Sequence, residues 1–211
     1  MAELRCYVFL DQLQPQNASF WATVAQGFLP NSRMASLFVE ISPGIEINHL
    51  TDVALKATPV KPGMLIVERL YGMLEIHSES QADVRAAGAA ILRDMNHREE
   101  ERLKPRILTS SIIRRVDDHQ SQLVNRMRHG NMLLAGDSFY IMEVEPAGYA
   151  ALAANEAEKA AEINILEIRA FGSFGRVYIG GDERDVVVAS DAAVKAIEGV
   201  VGRSPKSGGK E

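Results

Sequence analysis

Cysteine occurs once in this chain of 211 residues, at Cys6. No internal disulfide can form, which suits a reducing compartment, and a cysteine-rich zinc site is excluded. No apolar run approaches the roughly 18 residues that a membrane-spanning helix needs. The opening MAELRCYVFLDQLQP lacks a basic segment ahead of an apolar one, so no signal peptide is expected. Positive charge is not in excess. The net charge of −5 argues against a generic nucleic-acid binder, which is usually basic. Phosphate-binding Gly-x-x-x-x-Gly-Lys, His-Glu-x-x-His and Gly-x-Ser-x-Gly are all missing. The five histidines, His49, His77, His97, His119 and His129, are scattered, and no two stand at helical ligand spacing. They read as surface or incidental residues, not a metal site.

What is present is a hydrophobic content of 46% against 24% charged residues, enough for a packed core. The chain is also written twice. Met64–His77, MLIVERLYGMLEIH, reads as two short strands around a Tyr-Gly turn, with Glu68 and Arg69 at the turn end of the first. Ile165–Val177, ILEIRAFGSFGRV, returns the pattern, setting Arg69-Leu70-Tyr71-Gly72 against Arg169-Ala170-Phe171-Gly172 at a spacing of 100. Elsewhere the spacing is 103, as for Glu40, Pro43 and Lys56 against Glu143, Pro146 and Lys159. A segment shortened opposite Pro59–Gly63 would reconcile the two values.

Arg5–Leu10 and Met34–Ile41 are expected strands. Between them a helix over Ala18–Leu29, capped by Asn17, would carry Phe20, Val24 and Phe28 on one stripe. Ile47–Ala57 is a second helix, stopped by Pro59 and Pro62. Asp83–Met95 is the third, with Val84, Ala87, Ile91 and Met95 on its buried side. The charged His97–Lys104 reads as a solvated linker. The second copy repeats the order: strand Arg106–Ile113, helix Gln120–His129, strand Ser138–Val144, helix Tyr149–Ala161, hairpin, and a helix over Ser190–Val201. This gives units over 1–103 and 104–203 and a polar tail over 204–211. The glycines of Gly172-Ser173-Phe174-Gly175 and Gly180-Gly181 sit at strand turns, where glycine supplies a positive φ.

Two constellations stand out. Glu68-Arg69 fits an ordinary ion pair at a sheet edge, worth ~0–1 kcal/mol when exposed. It also fits a ring around a rotation axis, where each subunit delivers one carboxylate and one guanidinium and Glu–Arg hydrogen bonds between subunits close or open the space. Lys56 follows Asp52 by four residues and Lys159 follows Glu156 by three. Each fits a helix-surface ion pair, or a lysine laid across a subunit edge.

Asn155–Ile179, NEAEKAAEINILEIRAFGSFGRVYI, resembles the core of bacterial microcompartment shell domains. The pattern recurs around Lys56 and Gly72. Each half opens with a strand and helix ahead of that core, so the chain is similar to the circularly permuted, tandem-domain shell proteins of carboxysomes. The resemblance implies an α/β (α+β) fold, two permuted domains each with an antiparallel sheet flanked by helices. It implies a non-enzymatic homotrimer, pseudohexameric and stacked as a dimer of trimers, in a carboxysome shell with other shell proteins. No cofactor, metal, nucleic acid or membrane partner is implied. Glu68 and Arg69 match the family's pore gate, and Lys56 and Lys159 its tile-edge lysines. In the second copy the resemblance sets Ile168 at the glutamate position and retains Arg169, which leaves one gate pair per chain. Phosphorylated metabolites such as ribulose bisphosphate and phosphoglycerate would permeate. Two other classes fit the residues: a duplicated α/β sensor binding an anion between subunits, and an enzyme with Glu68 as base and Arg69 as anion clamp.

Overall fold

The computed structural model describes residues 2–204, so the expected tail lies outside the described residues from 205 onward. In the first copy β1 (Glu3–Leu10) pairs antiparallel with β2 (Ala35–Ser42), β2 with β4 (Tyr71–Ser78), and β4 with β3 (Lys61–Glu68). The sheet order is β1-β2-β4-β3. Helix α1 (Pro15–Val24) links β1 to β2, α2 (Ile47–Ala57) links β2 to β3, and α3 (Gln81–Asp94) follows β4. The second copy repeats this with β5 (Arg106–Ile113), α4 (Asp118–Asn125), β6 (Ser138–Glu145), α5 (Tyr149–Ala160), β7 (Asn164–Arg169), β8 (Gly175–Gly181) and α6 (Glu183–Glu198). Its order is β5-β6-β8-β7. The expected architecture of two antiparallel sheets with flanking helices is the one observed.

Strand alternation divides the first sheet into two faces. Leu37, Val39, Ile41, Leu74 and Ile76 pack with Ile47, Leu50 and Ala54 of α2 and Val84, Ala87 and Ile91 of α3. The other face carries Phe38 and Met73, which join Phe20 and Trp21 of α1 and a large part of the second copy in one core. Each such side chain fully buried contributes about 1.5–3 kcal/mol. The two copies therefore share a core.

The register corrects the expected spacing of 100 at the hairpin. Gly72 pairs with Ile41, and Gly175 pairs with Val144, so these two glycines are equivalent at 103. The bulge between Pro62 and Met64 in β3 recurs between Ile165 and Glu167 in β7 at the same spacing. So do two positive-φ sites, Arg33 (71°) with Gly136 (89°) and Arg69 (52°) with Gly172 (92°). No segment is shortened. Gly72 and Gly175 are held because a Cβ would fall 2.3 Å from the Gly44 and Ala147 carbonyl oxygens respectively.

Several boundaries also differ. The turn between β3 and β4 is Arg69-Leu70, and Tyr71 and Gly72 already belong to β4. Helix α1 starts three residues early, because Pro15 suits the first turn, where its missing N–H is not needed. Asn17 is thus a buried helical residue and not the cap. Helix α1 stops at Val24 because the Gly27 and Phe28 amides turn away to the Gly63 and Pro62 carbonyls, leaving Phe28 exposed. Helix α4 ends at Asn125, short of His129, and α6 starts seven residues early, capped by the Asp182 carboxylate on the Arg184 amide. In the charged segment, Glu99–Glu101 stay near the surface but Arg102 and Leu103 turn inward. Arg102 donates to the Tyr7 carbonyl at 2.6 Å, and the Tyr149 hydroxyl donates to the Leu103 carbonyl at 2.7 Å.

Candidate functional site

The two hairpin tips stand side by side. Glu68 pairs with Tyr71 as the last rung of β3 and β4, leaving Arg69 and Leu70 to make the turn. Arg69 takes the left-handed conformation, which costs a side chain about 1–2 kcal/mol. Its side chain is exposed and makes no ion pair among the described residues. Glu68 instead faces the other copy. Its Oε1 lies 3.6 Å from Nη2 of Arg169, and a Cβ built on Gly172 would stand 3.1 Å from its Oε2. Arg169 also sits 4.9 Å over the Phe171 ring. At 3.6 Å the Glu68–Arg169 contact is longer than a charge-assisted hydrogen bond, and both side chains are over a third exposed. It is therefore weak and free to exchange, worth ~0–1 kcal/mol.

With the copies aligned at 103, the position equivalent to Glu68 is Phe171 and that equivalent to Arg69 is Gly172. Ile168 and Arg169 correspond to Leu65 and Ile66. The earlier pairing of Arg69 with Arg169 is thus an accident of type, although only one tip per chain still carries the Glu-Arg pair. Arg169 enters the site from β7, a role that matching by identity conceals.

Beside the tips a groove of about 520 Å³ runs between the copies. Val24, Ile66, Ile168 and Phe171 give it an apolar wall, and Arg169 closes it toward Glu68. His129 and Glu167 also line it. The Glu167 carboxylate accepts from the His129 amide at 2.8 Å and contacts its Nδ1 at 2.9 Å. Their separation of 38 residues gave no sequence signal. Among the described residues no cluster of His, Cys, Asp and Glu side chains could hold a metal ion.

Lys56 and Lys159 sit in the last turns of α2 and α5, on exposed faces. Lys56 donates to Asp52 at 2.7 Å, and Lys159 lies 3.7 Å from Glu156. Neither lysine adjoins the tips in this chain.

Buried charge lies at the seam between copies. Glu40 accepts from Arg5 Nε at 2.7 Å and from the Gly148 amide at 2.9 Å, so it serves the N-terminal end of α5. Burial raises its pKa above the ordinary 4.5, against the opposing pull of Arg5 and the backbone amides. Arg5 also stacks 3.7 Å over Tyr71, the residue after the turn. Burial raises the neighbouring Cys6 thiol well above its usual range, so it stays protonated.

The model of the CsoS1D N-terminal domain matches residues 4–101. The chain is 58% identical over 201 residues to the carboxysome shell protein CcmP of Synechococcus elongatus, covering 95% of this chain and 94% of that protein. Among solved structures, a double ringed trimeric shell protein of the RMM microcompartment superposes with a TM-score of 0.93 at 40% identity, over 97% of this chain and 100% of that one. A fused permuted hexameric shell protein of the same microcompartment gives a TM-score of 0.91 at 44% identity, over 94% and 99%.

Proposed function

The chain belongs to the tandem-domain, permuted bacterial microcompartment shell proteins of the carboxysome, a structural and non-enzymatic family, and on that premise we propose that it forms a gated pore in the shell facet. Each chain supplies two shell domains, 1–103 and 104–203. Three chains close into a pseudohexameric tile, and two tiles stack face to face. The six hairpin tips meet around the threefold axis, three carrying Glu68 and Arg69 and three carrying Phe171 and Gly172. Phosphorylated metabolites such as ribulose bisphosphate and phosphoglycerate pass when the arginines are free to meet them. Lys56 and Lys159 reach across tile edges to neighbouring shell proteins.

One observation supports the gate above the others. Glu68 is held by a loose contact to Arg169 in its own chain while Arg69 has no partner among the described residues. A closed ring would have Glu68 exchange Arg169 for the Arg69 of a neighbour. An open one would keep the arrangement seen in the single chain. Cryo-EM at the threefold axis, with conductance through reconstituted tiles, tests this. Arg69→Ala should lower passage of phosphoglycerate, and Glu68→Ala should hold the pore open. Tips found on an outer edge of the trimer would overturn the gate.

A further inference from the structure

The two copies fill one slot in opposite ways. In the second sheet Phe139 and Tyr178 lie edge to face at 5.3 Å, Gly180 follows on the same face of β8, and Leu133 and Leu166 close over it. A Cβ on Gly180 would stand 2.8 Å from Leu133 Cδ1 and 3.4 Å from Leu166 Cδ1, so hydrocarbon fills the slot. In the first sheet the same positions hold Ser36, Glu75, His77, Pro30 and Gly63. The fold therefore closes this slot without any polar side chain. The first copy nevertheless buries a hydroxyl, a carboxylate and an imidazole there, against the desolvation cost of polar burial.

The carboxylate is fully served. Glu75 accepts from the Ser36 hydroxyl at 2.6 Å and the Gly63 amide at 3.1 Å, and it contacts His77 Nδ1 at 3.2 Å. The imidazole is not. Its Nε2 is buried and has no hydrogen-bond partner among the described residues. Nδ1 is taken by Glu75, and Cε1 faces Gly63, 3.4 Å from where a Cβ would stand. The Nε2 edge is left for a pocket of about 280 Å³ lined by Met34, Pro59, Lys61, His77, Ser78 and Glu79. That is below the roughly 300–1,000 Å³ of pockets for drug-sized ligands, and it suits a compact ion. Register places a cation beside the ring. Lys61 pairs with His77 across β3 and β4, so both side chains rise from one face. Lys61 Nζ stands 5.9 Å over the Phe28 ring and makes no ion pair among the described residues. The rim also differs between copies. Met34, Pro59, Lys61 and Glu79 correspond to Asp137, Glu162, Asn164 and Asp182. Three carboxylates and no cation in the second copy become one carboxylate and one ammonium in the first.

We propose that this pocket of the first copy binds a compact inorganic oxyanion, of the class of bicarbonate, phosphate and sulfate, between His77 Nε2–H and the Lys61 ammonium. Glu75 holds the ring by Nδ1 and offsets its charge, so that Nε2 presents a proton to the anion. The ion supplies the partner that the buried nitrogen lacks. Glu79, exposed at the rim, is the one opposing charge in the lining. Binding to a neutral ring takes up a proton. The pocket lies at the ends of β3 and β4 away from the Arg69-Leu70 turn, so it stands independently of the gate.

The test is calorimetric titration of the full chain with sulfate, whose charge is fixed across neutral pH, in two buffers of unlike ionisation enthalpy. The expected result is one ion per chain, bound with proton uptake and more tightly as pH falls. Lys61→Glu, at an exposed position, should weaken binding by roughly tenfold or more, and His77→Gln should abolish the proton uptake. Crystals soaked in selenate should show an anomalous selenium peak between Lys61 Nζ and His77 Nε2. Parallel titrations with phosphate and bicarbonate identify the preferred ion. Binding unchanged in Lys61→Glu, selenium only at other places, or no binding of any of the three ions overturns the site. Should His77→Gln fail to fold, Lys61→Glu and the selenium peak still decide.

Discussion

At the scale of residues, the buried Arg5–Glu40 pair is the most open to test, because burial leaves little solvent to screen its charges. Arg5 and Glu40 are both under a tenth exposed. Arg5→Met would leave a carboxylate buried without its guanidinium, and a loss of about 3–5 kcal/mol in urea unfolding is expected. The pH dependence has a fixed sign. Glu40's folded pKa is raised, so its contribution to stability is fully present below the unfolded value near 4.5 and is lost as pH rises through the folded value. Glu40→Gln cannot titrate, so the stability of wild type relative to this variant should fall over that window. A relative stability that climbs with pH would contradict the burial argument. The histidines were read from sequence as incidental, and for His77 that was incomplete. His77 is fully buried beside Glu75, which also accepts from the Ser36 hydroxyl at 2.6 Å. In the second copy the positions of Ser36 and Glu75 hold the edge-on Phe139–Tyr178 pair and that of His77 holds Gly180, so the polar cluster belongs to one copy only.

At the scale of elements, the hairpin shows how function and stability diverge. Arg69 and Gly172 occupy the same left-handed position, but only glycine does so without cost. Arg69→Gly is therefore expected to raise the melting temperature slightly, corresponding to about 1 kcal/mol, while removing the guanidinium of the proposed gate. Gly72→Ala should do the opposite. A Cβ there would fall 2.3 Å from the Gly44 carbonyl and 2.7 Å from Ile47 Cβ, and relief by backbone shift costs typically 1–3 kcal/mol. Thermal melts of the two variants, one up and one down, check both. The elements themselves were mostly legible. Helix α2 was readable to the residue because apolar spacing and Pro59 agree on its limits. Strand β5 was readable from its β-branched run. Helix α1 was misplaced because Pro15 signals both a break and a first turn, and sequence alone does not choose. The hairpin alignment failed because it matched residue types, whereas the shared quantity is a backbone angle, indifferent to whether arginine or glycine adopts it.

At the scale of the whole molecule, duplication and family were legible from the order of elements, but the shared core was not. Nothing in the spacing of Gln14, Gln16 and Asn17 foretold their bonds to Asn155 and Glu158, some 140 residues away. Sequence patterns report which side of an element is apolar, and not which element covers it. The lysines belong to this scale too. Lys56→Ala and Lys159→Ala each forfeit only a surface ion pair within the chain, so the melting temperature should hold and trimers should persist. Ordered two-dimensional arrays, viewed by electron microscopy, should be lost. Arrays that persist in the double variant would take the lysines out of the tile edge.

The unlike tips have a consequence for stoichiometry. A peptide bond, not a sorting step, ties one charged tip to one uncharged tip. Any closed ring of these chains must alternate them strictly, and their ratio is the same at every expression level. Six separate subunits of two kinds could mix in many orders around an axis. Fusion leaves one order, and in the proposed trimer it would let selection edit the charge at three of the six tips while the other three stay as they are.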